Sequence, residues 1–320
     1  MTHTPTANQW LRRFRLDITS SSNRVYANGR QQVEITVTLE PRDGETVTEQ
    51  NLATLELLQV DDDGNIRVLD SELRAHDERD PRFAYHTASG FAPSPLMESS
   101  SRTIRRRFYV TSTLPGGTLS TLYAGIWKDE QSHFETDVAP FKSSVVIESI
   151  APHHLPDSAF QLVMQDRISY KENSGNYWDD EIEHDVGYFG FKDPNNLIIE
   201  SLARAVPSGE TFYVANHWDH ALISFELTND YSQTTRLRAY AVGDAFELDV
   251  GAPQGRLTQR PHHMTLHRFY RRFYKRHWNG HAQDPSLWTI IDRDGNEHSV
   301  EFLASNGGDA IDFRVLPNHA

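Results

Sequence analysis

The sequence predicts a mainly β protein arranged as two sandwich-like domains, over residues 1–150 and 151–320. Short runs of alternating apolar and polar residues recur along the whole chain, punctuated by turn-forming clusters. At 320 residues the chain exceeds one average domain. A break rich in proline and histidine, Ala151-Pro-His-His-Leu-Pro-Asp157, follows an apolar strand ending at Ile150. A hydrophobic fraction of 38% with 11% aromatic residues supplies the buried area that offsets chain entropy, which argues against disorder.

Taken in order, Phe14, Leu16 and Ile18 alternate with polar neighbours, and Val33, Ile35, Val37 and Leu39 alternate with Glu34, Thr36 and Thr38, the clearest strand in the chain. Further strands are expected at 104–110, 122–127 and 143–150, with a turn at Pro115-Gly-Gly117. From Asp70 to Ser101 no period is sustained; this stretch either packs Phe83, Tyr85 and Phe91 over a sheet face or forms a binding loop. Strands resume at 160–170, 211–215, 221–227, 234–242, 246–250, 287–292, 297–303 and 311–316. Asp61-Asp-Asp-Gly-Asn65 and Asp292-Arg-Asp-Gly-Asn296 read as hairpin turns, since their glycines stand at the wrong offset for a calcium loop.

The composition excludes several classes of chemistry. Zero cysteines remove disulfides, thiolate metal sites and cysteine nucleophiles. A net charge of −14 disfavours nucleic acid as a partner unless positive charge is gathered locally. No signal-peptide pattern follows Met1, and no apolar run reaches membrane-spanning length, so the expected location is cytoplasmic, or exported without a cleaved signal. Nucleophile-elbow, P-loop and dinucleotide motifs are absent, so no catalytic residue and no cofactor is assigned and a non-enzymatic role is expected. The pairs His217/His220, His262/His263 and His153/His154 lack the helical spacing of a zinc site, and no metal is expected. Asp179, Asp180, Glu181 and Glu183, beside Tyr177 and Trp178, are either solvated surface charge or a carboxylate pair suited to glycoside hydrolysis.

The most unusual segment is Pro261–Trp278, which carries five Arg or Lys, four His and no acid. On a helix, Leu266, Phe269, Tyr270 and Phe273 share one face and the cations the other, so the second domain is expected to hold one basic amphipathic helix. Its candidate binding residues are Arg268, Tyr270, Arg271, Arg272, Tyr274, Lys275, Arg276 and Trp278. Such a helix fits anionic lipid, phosphate, or an acidic surface, including this chain's own carboxylates in 179–185.

Residues Val25 to Gly44 place Ala27 and Gly29 before the strand Val33–Leu39 and close with Asp43-Gly44. This arrangement resembles the opening of bacterial immunoglobulin-like domains of the invasin and intimin type. The resemblance implies an Ig-like sandwich in the N-terminal half that serves as a spacer or adhesive platform without catalytic residues. The expected function is therefore that of a structural or interaction protein, associated with a surface, a particle or export, that recognises a protein or cell-surface component. A membrane-active bacterial toxin or effector contacting anionic lipid, and a carbohydrate-binding or carbohydrate-active protein stacking sugars on Trp178, Trp218 or Trp288, are the alternatives.

Overall fold

A computed structural model describes the chain apart from residues 1–8, 61–62, 88–90, 94–99, 165–167, 173–179, 205–209, 219–229, 245–259, 276–285, 307–309 and 318–320. In strands at 168–172, 180–182, 210–218, 230–236 and 269–275 the backbone alone is described. The chain divides into two compact units, Met1–His153 with Asp294–Asn296, and His154–Arg293 with Glu297–Ala320. Among the described residues no helix is long and apolar enough to cross a membrane.

In the first unit, alternation yields strands at 11–18, 33–41, 104–112, 119–129 and 145–150, where the sequence predicts them, and short strands at 24–26, 56–60, 66–68, 73–76 and 132–135 add to these. β1 (Leu11–Ile18), β3 (Val33–Pro41), β7 (Ile104–Ser112) and β6 (Leu73–His76) form one sheet in the order β1-β3-β7-β6. The other sheet runs β2 (Arg24–Tyr26), β10 (Val145–Ile150), β8 (Leu119–Asp129), β4 (Glu56–Val60), β5 (Ile66–Val68), with β9 (Ser132–Glu135) also on β8. β2 pairs in parallel with β10, and the other pairings are antiparallel. This is the strand order of an immunoglobulin-like sandwich: the first, second, fifth and fourth main strands face the remainder, and the first strand switches sheets.

The two sheets close on one core. Phe14, Leu16 and Ile18 of β1 and Val33, Ile35, Val37 and Leu39 of β3 pack with Leu122, Ala124 and Ile126 of β8 and Val145 and Ile147 of β10. Trp10 is 1% exposed and donates its Nε1–H to the Thr46 carbonyl at 2.9 Å. A buried indole is retained where its N–H finds such a partner. The only α-helix among the described residues is the single turn α1 (Glu49–Leu52), capped by Thr48, whose side chain accepts from the Asn51 N–H. The stretch after Asp70 acts as a cover: Phe83 is buried, Phe91 packs on the core, and the Tyr85 hydroxyl donates to Glu34 Oε2 at 2.8 Å.

The second unit is also a sandwich. β11 (Phe160–Met164), β13 (Asp180–Phe191), β17 (Met264–Lys275), β16 (Asp230–Tyr240) and β15 (Glu210–Trp218) form one sheet, with β12 (Ile168–Glu172) also on β13. β14 (Ile198–Ala203), β18 (Ser286–Asp292), β19 (Glu297–Ser305) and β20 (Ala310–Leu316) form the other. Phe189, Leu237, Met264 and Leu266 from the first sheet meet Ile290, Val300 and Phe302 from the second. The turn between β18 and β19 holds Gly295 at φ +82°, the left-handed backbone a tight hairpin requires. The predicted strands at 221–227 and 246–250 lie outside the described residues.

The basic amphipathic helix is corrected. Residues 264–275 are strand β17, flanked by β13 and β16. Helical periodicity misleads here because this strand's described residues, Met264 to Arg268, are all buried. A stretch covered on both faces, as Met264 to Arg268 is, needs no apolar–polar alternation.

Candidate binding site

Arg268, the leading predicted contact, points into the second unit and is 1% exposed. Its Nε donates to Asp185 Oδ2 at 2.8 Å and its Nη2 to Glu183 Oε2 at 3.0 Å. The strand register causes this: Asp185 stands directly opposite Arg268 and Glu183 opposite Tyr270, so both carboxylates share the arginine's face. The same register sets Glu181 against Arg272. Tyr270, Arg271, Arg272, Tyr274 and Lys275 belong to β17 with only their backbone described, and Arg276 and Trp278 lie outside the described residues. Glu183 and Asp185 of the acidic string are thus internal partners of Arg268.

The other candidates do not assemble. Among the described residues no group of three His, Asp or Glu could hold a metal ion. His217 contributes backbone to β15, and His220 lies outside the described residues. His262 Nδ1 lies 3.2 Å from the Ile198 carbonyl, and His263 Nδ1 2.8 Å from that of Pro261. Trp288 is 5% exposed and donates Nε1–H to Ser286 Oγ at 2.8 Å, so no face is offered to a sugar. Tyr177, Trp178 and Asp179 lie outside the described residues, and Trp218, Asp180 and Glu181 are described in backbone alone. His184 and His267 are both fully buried with ring centroids 4.9 Å apart. Burial, then the neighbouring His184 and Arg238, pushes His267 down to about 3.

Positive charge gathers instead on the β1-β3-β7-β6 sheet of the first unit, with Arg12, Arg15, Arg106 and Arg107 exposed and Arg13 and Arg105 half-buried. β1 supplies Arg12, Arg13 and Arg15; β7 supplies Arg105, Arg106 and Arg107. Register places Arg15 and Arg105 on either side of Thr38, and Asp17 and Arg107 on either side of Thr36. The acids of this sheet are sunk and the guanidiniums stand above them. Asp17, Thr36, Thr38 and Glu40 are buried. The side chains of Arg12, Arg15 and Arg107 are 72%, 44% and 59% exposed. Arg15 Nη2 meets Asp17 at 2.6 Å, and Arg107 Nε lies 3.5 Å from Glu34. Glu34 also accepts from Thr19 Oγ1 at 2.7 Å, and its contact with Tyr85, added to burial, raises that phenol's pKa well above its usual value.

A groove runs along each edge of this sheet. At the β1 edge a cleft of about 580 Å³ is lined by Arg12, Arg13, Arg15 and Lys142. Lys142 is exposed at φ +46°, a left-handed conformation that is uncommon outside glycine and tends to mark functional loops. At the β7 edge a groove of about 550 Å³ is lined by Arg105, Arg106 and Arg107 above Leu52, Leu55 and Phe108. Arg106 reaches across to Glu49 Oε2 of α1 at 2.8 Å. The signal was present in the sequence as Arg12-Arg13-Phe14-Arg15 and Arg105-Arg106-Arg107, two short strings whose adjacency across β3 arises only from strand pairing.

No family model matches the chain, and no curated protein matches it. Among solved structures, the partial N-terminal region of an enterococcal surface protein is similar at 9% identity, covering 98% of this chain and 97% of that one, with a TM-score of 0.22.

Proposed function

We propose that the chain is a non-enzymatic interaction protein whose first sandwich recognises an acidic partner through the arginine-bearing sheet. The observation that carries this reading is the exposed guanidinium layer over sunken carboxylates, bounded by two cationic grooves, in a chain of net charge −14. An acidic molecule that keeps such a patch concentrates anionic partners there. The Ig-like strand order, and the resemblance of residues 25–44 to bacterial Ig-like modules, support display on a cell or particle surface as a binding platform. The membrane-active alternative rested on Thr- and Ser-rich β segments and on a basic helix, and residues 264–275 form a strand instead of that helix.

Fluorescence anisotropy with labelled poly-glutamate, at low and moderate salt, tests the reading. The intact protein should bind in a salt-sensitive manner, and a folded variant carrying Arg13→Ser, Arg15→Ser, Arg105→Ser and Arg107→Ser should bind at least tenfold more weakly. Equal binding by the variant, or no binding by the intact protein, overturns it.

A further inference from the structure

We infer that the cleft beside β1 is a binding site for a phosphate group that carries two negative charges. The inference rests on the interaction reading above and names the chemical group that the arginine-bearing sheet takes at this edge.

A bulge in β1 assembles the first two cations. Leu11 stands opposite Pro41 and Arg13 opposite Glu40, so Arg12 is an extra residue in this strand. A bulge at a sheet edge re-aims the side chain it inserts. Here Arg12 Nη1 and Arg13 Nη1 both approach the one Glu40 carboxylate, at 3.8 and 3.6 Å. Those separations exceed hydrogen-bond length, and Glu40 Oε1 already accepts from Ser100 Oγ at 3.2 Å. Among the described residues neither guanidinium makes a side-chain hydrogen bond, so both donor forks are open to a ligand.

Lys142 lines the same cleft, and its segment is fixed against β1. The Lys142 N–H donates to the Val138 carbonyl at 3.1 Å and the Ser143 N–H to the Thr136 carbonyl at 2.7 Å. The Leu16 N–H of β1 donates to Ser143 Oγ at 3.1 Å. Lys142 is thereby held in left-handed backbone at φ +46°, which costs free energy in a residue other than glycine. It is exposed, and its ammonium has no carboxylate partner among the described residues. Ser144, next along the lining and also exposed, adds a hydroxyl donor.

The charge balance then selects the ligand. Arg15 is engaged by Asp17, through Nε at 2.9 Å and Nη2 at 2.6 Å, while Arg12 and Arg13 share Glu40. Arg12, Arg13, Arg15 and Lys142 thus face Asp17 and Glu40, four cations against two carboxylates, which leaves two positive charges in excess. The β7 groove differs, because Arg106 bonds Glu49 at 2.8 Å, Arg107 pairs with Glu34, and Asp77 adds a further acid. Since Arg12 and Arg13 converge on one carboxylate, the charge they offer a ligand is concentrated rather than spread along the strand. A single carboxylate would neutralise half of the excess. A phosphate bears about two charges near neutral pH, with its acceptor oxygens on one phosphorus, and guanidinium forks suit that geometry.

The test is isothermal titration calorimetry of the full chain near neutral pH and low salt. The probes are inorganic phosphate and a blocked Gly-Ser-Gly peptide phosphorylated on serine; blocked Gly-Glu-Gly, with one charge, is the control. At least one phosphate probe should bind about tenfold more tightly than the control. Binding of the phosphopeptide places the group on a partner protein, and binding of inorganic phosphate alone identifies a free anion. Lys142→Gly removes a charge while suiting the left-handed backbone, so it should melt within a few degrees of the intact protein yet weaken phosphate binding about fivefold. Arg12→Ser should act alike, whereas Arg67→Ser, which removes an exposed charge from β5, should change binding by less than about twofold. Equal binding of the control peptide, failure of both phosphate probes, unchanged binding in Lys142→Gly and Arg12→Ser, or an equal loss in Arg67→Ser overturns the site. If poly-glutamate still binds in a manner that depends on the arginines, the interaction reading survives that outcome; if no probe binds, both fall.

Discussion

Two arginine-bearing strands have opposite fates. β17 lies between β13 and β16, and its Arg268 is 1% exposed against Glu183 and Asp185. β7 lies between β3 and a β6 that ends early, and the side chains of Arg106 and Arg107 are 44% and 59% exposed. Residue type is alike in both; the difference lies in the neighbouring strands. A strand whose neighbour brings carboxylates into register can bury a guanidinium, because charge pairing offsets part of the desolvation cost. A strand opposite Thr36 and Thr38, with its acids sunk beneath, presents its guanidiniums to solvent. A string of basic residues therefore announces charge but not accessibility, and only pairing decides which string reaches a partner.

The comparison breaks most readily at Arg268. Arg268→Met leaves two buried carboxylates without their guanidinium and should cost about 3–5 kcal/mol, read as a lower urea midpoint for the second unit. Adding Glu183→Leu and Asp185→Leu should recover most of the loss. If Arg268→Met alone were neutral, the ion pair would not be a stabilising part of that core.

Acid should separate the two units next. The folded pKa of His267 is held at about 3, below the ordinary histidine value near 6.5, so between these values the unfolded state binds the additional proton. Stability is then complete above pH about 6.5 and falls toward pH 3, at up to about 1.4 kcal/mol per pH unit from this group. Urea denaturation at pH 7, 6 and 5 should show this slope in the second unit, and His267→Leu should reduce it by about one proton's worth. An unchanged slope in the variant would assign the effect to other groups.

Smaller effects sharpen the first unit's side. Tyr85→Phe removes one of the hydroxyl donors to Glu34 and should cost about 1 kcal/mol, together with faster proteolysis between residues 77 and 87 as the cover loosens. Arg106→Ser, whose partner Glu49 has a side chain 85% exposed, should change stability by less than about 0.5 kcal/mol. A large loss there would mean that the β7 arginines are structural rather than available for binding.

Much of the first unit was legible in the sequence because its strands put apolar side chains on the core face and polar ones, such as Thr36 and Thr38, on the other. Val33 to Leu39 alternates for this reason, as do Phe14 to Ile18, and the glycines of tight turns mark hairpins such as that ending at Gly295. β13 and β17 were missed because alternation weakens where both faces are covered, and β2, β5 and β9 because three or four residues carry no period. The stretch after Asp70 had two readings, and Phe83, Tyr85 and Phe91 decide for the cover: their aromatic area and one hydroxyl bond to Glu34 anchor a segment without regular structure.

The sequence by itself determined that the chain is β-rich, acidic, without cysteine, and marked by dense basic strings, because these follow from composition and from the two-residue period of a half-buried strand. Tertiary structure alone decided which charges are spent internally and which remain exposed. Arg268 meets Asp185 across 83 intervening peptide steps, and Arg15 meets Arg105 only through Thr38 between them. Such juxtapositions depend on strand order and register, which are set by the packing of whole sheets rather than by any local pattern of residues.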